Sequence, residues 1–191
     1  DFQLVLDVHL MGTVNCTKAV WDIMRDQSYG RIVVTTSSSG LYGNFGQSNY
    51  GAAKMGVVGF MNTLVQEGAK YNIRVNALAP TAGTRMTEGL LPEQAFELLT
   101  PETVTPAVLY LVSEDSPNRT ILAAGAGAFA VSRIVETEGT WLPVDEQTPE
   151  GIAAHWEQIS SREGERELTA GFEQSVKMVG KAAEGLGIKL D

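Results

Sequence analysis

The sequence predicts an α/β fold built on a doubly wound parallel sheet, and three observations carry that expectation. Short β-branched runs, Arg31-Ile-Val-Val-Thr-Thr36 and Arg74-Val-Asn-Ala-Leu-Ala79, alternate with stretches of helical periodicity. Both runs are nearly free of charge after their first residue, as strands covered on both faces require. Only two or three strands can be placed along the chain, about half of what such a sheet uses. The expectation is therefore the C-terminal portion of a doubly wound sheet, followed by an acidic helical tail.

Residues 2–26 read as one long helix, with Phe2, Val5, Leu6, Leu10, Val14, Val20, Ile23 and Met24 recurring at roughly helical spacing. Tyr29-Gly30 ends it, and the first strand follows. Ser37 to Ser48 is rich in Gly, Ser and Asn and reads as a loop. A helix is expected from about Asn49 to Tyr71, with small residues in its first half that permit a close neighbour. The second strand is closed by Pro80, and residues 81–100 read as a long connection whose apolar residues suit a lid or docking segment. Thr100-Pro101-Glu102 has the pattern of a helix start, with the helix running to about Glu114. Ile121–Ala124 and Ala128–Ser132 read as strand segments around a Gly-Ala-Gly turn. Thr148-Pro149-Glu150 repeats the helix-start pattern. Residues 1–138 are accordingly expected to form the sheet-bearing portion and 139–191 a mostly helical extension.

Composition narrows the function. The formal net charge is −9, and from Glu136 onward 12 acids stand against 5 Lys and Arg. A near-neutral body with an acidic tail lacks the basic face that nucleic acid needs. The tail itself reads as a solvated helical face. No apolar run is long enough to span a bilayer, so no membrane partner is expected. The single cysteine, Cys16, leaves no disulfide framework or multi-cysteine metal site, and a reducing, cytoplasmic compartment is the expectation. No cluster of His, Cys and acids has metal-ligand spacing. Ser37–Ser39 lacks the Gly-x-Ser-x-Gly elbow of a hydrolase.

Chemistry concentrates between residues 37 and 54. Tyr50-Gly-Ala-Ala-Lys54 puts Tyr50 and Lys54 on one helical face a turn apart. A neighbouring ammonium favours a phenolate, which makes Tyr50 a candidate general base for an alcohol or general acid for a carbonyl. Ser37 stands thirteen residues before Tyr50 at the end of a predicted strand, where open α/β sheets place functional groups.

Strand-Ser37, Tyr50-x-x-x-Lys54 on the next helix and Asn76-x-x-x-Pro80 after the next strand together resemble the C-terminal signature of the short-chain dehydrogenase/reductase family. The resemblance covers residues 1 to about 135. Residues 30–34, 41–47 and 79–87 are similar to the dehydrogenase domain of peroxisomal multifunctional enzyme type 2 and its free-standing bacterial relatives. It implies a Rossmann-type sheet and NAD- or NADP-dependent interconversion of a secondary alcohol and a ketone. The branch implies (3R)-hydroxyacyl-CoA and 3-oxoacyl-CoA with NAD, in a homodimer or homotetramer.

Carried over by residue, the resemblance implies that Ser37 orients the substrate oxygen and Tyr50 exchanges its proton. Lys54 favours the Tyr50 phenolate and bonds the nicotinamide ribose. Pro80, Thr81, Ala82, Gly83 and Thr84 line the nicotinamide pocket, with Thr84 or Thr87 available to the carboxamide; Pro80-Thr81 stands where the family has Pro-Gly. Ser39, Tyr42, Phe45 and Met86 are the further candidates for substrate contact. His9 stands where many members carry an Asn that positions a proton-relay water. It either joins such a relay or is a hydrogen-bonded structural histidine. The family's Gly-rich phosphate turn is not among these residues. Two other readings stay open: a carbonyl reductase for a steroid, sugar or quinone, and a cofactor-deficient fragment that acts only in assembly.

Overall fold

The computed structural model describes residues 1–84 and 92–190, so Met86 and Thr87 lie outside the described residues. Four strands form one sheet in the order β1 (Gly30–Thr35), β2 (Ile73–Pro80), β3 (Ile121–Gly125) and β4 (Ala128–Ser132). β1, β2 and β3 run parallel, and β4 returns antiparallel on β3. The turn between β3 and β4 needs positive φ at both central residues, which Ala126 (50°) and Gly127 (74°) supply. The sheet thus has one strand more than the sequence allowed, because Ala128–Ser132 pairs as a full strand.

Helices cover both faces. α4 (Ser48–Gly68) packs Val57, Val58, Met61, Leu64 and Val65 against Ile32, Val34, Ile73, Val75, Ala77 and Ile121. On the other face α6 (Thr105–Leu111) packs Ala107 and Leu111 against Leu78 and Ala124. The switch from the odd residues 73, 75 and 77 to residue 78 on β2 is the period-2 alternation of a strand buried on both sides.

Several sequence expectations change. The helix over residues 2–26 is three segments: α1 (Phe2–Leu6), a π-helical turn (Asp7–Met11) and α2 (Gly12–Asp26). Gly12 N–H reaches back five residues to Asp7 O, which widens the helix at His9. The loop over 37–48 contains a short helix, α3 (Ser38–Tyr42). The connection over 81–100 contains another, α5 (Glu93–Leu98). The helix expected at Thr100 opens at Thr105 instead: Thr100 makes no side-chain cap, Pro101–Thr103 forms a single 3₁₀ turn, and Pro106 occupies the first turn of α6.

The chain divides into two compact units, Asp1–Ser132 and Arg133–Asp191. The second unit contains α7 (Pro149–Ala154), α8 (Trp156–Ile159) and α9 (Gly171–Leu186). Thr148 caps α7 by accepting from Gly151 N at 3.0 Å. The tail is more than a solvated face. Lys177 of α9 is buried, donates to Thr137 O at 2.9 Å and pairs with Glu136, while Lys181 pairs with Glu138 at 2.6 Å. Among the described residues no helix is long and apolar enough to cross a membrane. No group of His, Cys, Asp and Glu there could hold a metal ion.

Candidate active site

The C-terminal ends of β1 and β2 carry the candidate groups, as expected for an open α/β sheet. Past Thr35 the chain stays extended at Ser37 (φ −160°, ψ 153°), whose Oγ accepts from Ser39 N at 3.2 Å and so caps α3. A hydroxyl that accepts this bond keeps its own proton to donate. Ser37 can therefore hold the helix and still offer O–H to a substrate oxygen.

α3 then packs against α4 at Lys54, and Gly40 permits the approach. A Cβ on Gly40 would stand 2.7 Å from Lys54 Cβ and 3.0 Å from its carbonyl carbon. Lys54 is only 7% exposed. Its Nζ donates to Thr35 O at 2.9 Å and lies 5.7 Å from the centroid of the Tyr50 ring, within cation–π range. Burial pushes the Lys54 ammonium below the usual lysine range.

The π-helical turn brings in the third side chain. The His9 ring meets Tyr50 edge to face, with centroids 5.1 Å apart. Leu10 supports that crossing, since a Cβ on Gly56 of α4 would touch its Cδ2 at 3.2 Å. Burial first, and the Lys54 charge second, hold His9 below the ordinary histidine value. The His9 carbonyl accepts from Thr13 Oγ1 at 3.0 Å.

The structure brings the His9 ring and the Lys54 ammonium to the Tyr50 ring, with Ser37 two residues beyond the carbonyl that holds Lys54. Pro80 ends β2, and Thr81 N–H is spent on Ala124 O at 2.8 Å. Gly83 N–H donates to Leu99 O, and a Cβ on Gly83 would meet Phe96 O at 3.0 Å. Thr81 and Thr84 are exposed, while Ala82 and Gly83 are half-buried. Ser39 sits in α3 beside the cap. Tyr42 is exposed and shares a 2.8 Å hydrogen bond with Ser132 Oγ, and Phe45 is wholly exposed. Asn76 is structural: its amide donates to Pro117 O at 2.8 Å and accepts from Thr120 N at 2.9 Å.

Sequence reasoning passed over Thr35, Thr36 and Gly40. The available signal was the Thr-Thr pair directly before Ser37, with a glycine three residues after it.

A family model described as short chain dehydrogenase matches residues 1–95. The structure of the full-length peroxisomal multifunctional enzyme type 2 of Drosophila melanogaster superposes with a TM-score of 0.85 at 36% identity, covering 97% of this chain and 34% of that one. The chain belongs to the short-chain dehydrogenase family. Mouse peroxisomal multifunctional enzyme type 2 is 47% identical over 83% of this chain and 22% of its own length. A short-chain dehydrogenase from Mycobacterium avium matches with a TM-score of 0.67 and 30% identity, over 83% of this chain and 56% of that one. The chain thus spans less than two thirds of each of these relatives.

Proposed function

We propose that the protein carrying this chain is an NAD(P)-dependent oxidoreductase that interconverts a secondary alcohol and a ketone, with (3R)-hydroxyacyl-CoA and 3-oxoacyl-CoA as the pair. The observation that carries the reading is the contact of the His9 ring and the Lys54 ammonium with Tyr50, next to the strand end that presents Ser37. The thioester substrate is supported by the likeness to the fly and mouse multifunctional enzymes.

The residues present fit the nicotinamide end of a dinucleotide. Lys54 spends one of an ammonium's three N–H donors on Thr35 O, which leaves two for ribose hydroxyls. Pro80 to Thr84 would line the nicotinamide, with the exposed Thr81 and Thr84 hydroxyls beside the end of β2. A nicotinamide bound there supplies the hydride acceptor.

In this reading Ser37 donates its O–H to the substrate oxygen while keeping its cap on α3. Tyr50 takes the alcohol proton, and the adjacent Lys54 charge stabilises the negative charge carried by the phenol oxygen during the exchange. His9, against the Tyr50 ring, would pass the proton on.

The test uses protein carrying this sequence, with (3R)- and (3S)-3-hydroxyacyl-CoA and both nicotinamide cofactors, followed by nicotinamide absorbance. Oxidation of the (3R) form is expected, and Tyr50→Phe should lower it about 10²- to 10⁴-fold with the circular dichroism spectrum unchanged. Turnover of steroid, sugar or quinone carbonyls with none of the thioester would replace the substrate assignment. No absorbance change with any secondary alcohol would remove the reading altogether.

A further inference from the structure

One dipeptide grips Lys54 at both ends. Thr35 O, at the end of β1, accepts from Lys54 Nζ at 2.9 Å. Thr36 Oγ1 donates to the Lys54 backbone carbonyl at 2.8 Å. Thr36 is itself fixed, because its N–H donates to Leu78 O of β2 at 2.8 Å and the residue is only 1% exposed. The lysine carbonyl and ammonium are thus both referred to the sheet, not only to the helix that carries them. Gly40 closes the arrangement from α3, against Lys54 Cβ.

We propose that Thr36 is a positioning residue for the reaction, its buried hydroxyl setting the part of α4 from which Lys54 reaches Thr35 O and the Tyr50 ring. The inference rests on the reading of Lys54 given above. A methyl in place of the hydroxyl leaves the volume almost unchanged and removes the donor. The α4 backbone then loses its tie to β1 at Lys54, and the ammonium is free to sample other positions. The consequence is a loss in turnover without a loss in substrate binding, since Thr36 is buried beneath the site.

Thr36→Val, Thr36→Ser and Thr36→Cys test this in the full chain. Lysine is selectively ¹³C-labelled, and the Lys54 resonance is assigned by its disappearance in Lys54→Met. Wild type and Thr36→Ser are expected to share one Lys54 titration below the ordinary lysine range. In Thr36→Val it should move towards the ordinary value, with kcat down about fivefold, the weight of one hydrogen bond, and KM unchanged. Thr36→Cys, with a weaker donor of similar size, should fall between them. A Lys54 titration in Thr36→Val that matches wild type overturns the proposal, as does a Ser variant that behaves like Val. Should the Val variant not fold, an unmoved Lys54 in Thr36→Cys overturns it equally. A Lys54 titration that follows Thr36 in protein without oxidoreductase activity supports the positioning role and overturns the functional reading instead.

Discussion

Lys54 is a cation placed where water scarcely reaches it, and its ammonium finds a carbonyl instead of a carboxylate. Among the described residues no carboxylate pairs with it, so the charge acts on its neighbours. His9 registers it: burial is the larger cause of its lowered value and the Lys54 charge the smaller. Because the folded state disfavours the imidazolium, the unfolded chain takes up this proton first as pH falls. His9 therefore withdraws stability below the ordinary histidine value, and the loss is complete once pH has passed the lowered folded value. Lys54→Met removes the smaller cause and leaves the larger. The His9 midpoint, followed by proton NMR of the ring, should rise part of the way towards the ordinary value; a midpoint that stays or falls would break the proposed link. Ser37, Tyr50 and Lys54 were legible in the sequence as candidates because residue type and spacing single them out. The contact between His9 and Tyr50 was not, since a histidine forty-one residues upstream carries no spacing rule that would aim its ring.

Helix α3 shows what an element contributes beyond its residues. Five residues cannot stabilise a helix alone. α3 exists because Ser37 caps it and α4 receives it, and the contact runs through Gly40. Gly40→Ala would force Cβ atoms to 2.7 Å and push the two helices apart. A destabilisation of about 1–3 kcal/mol is expected by denaturant titration, with activity lost more steeply because Lys54 sits on the displaced face. An alanine variant of wild-type stability would show that α3 can retreat freely. The π-helical turn over Asp7–Met11 acts at the same scale, since it interrupts α-helical register where His9 must face Tyr50. Neither element was visible beforehand. A Gly- and Ser-rich segment has low helix propensity, and a π turn leaves the apolar periodicity of its helix nearly intact.

The two compact units are held by different forces. The first buries apolar side chains on both faces of its sheet. The second ties α9 to the segment carrying Glu136 and Glu138 through Lys177 and Lys181, and sets Gly185 against the Trp141 ring. A Cβ at Gly185 would fall 2.1 Å from that ring, so Gly185→Ala must displace the indole. The expected result is a red shift in tryptophan emission and a loss of about 1–3 kcal/mol in the unit's unfolding; unchanged emission would contradict the packing.

The sequence by itself determined the α/β class and the strands β1 and β2, and it singled out Ser37, Tyr50 and Lys54 as candidates. Those properties follow from local periodicity, residue chemistry and charge, all written along the chain. Tertiary structure alone decided the grip of Thr35 and Thr36 on Lys54, the close approach at Gly40, the His9–Tyr50 contact and the burial of Lys177. Each joins residues far apart in sequence through a hydrogen bond, an ion pair or a van der Waals limit. Such contacts exist only after the sheet and helices have packed.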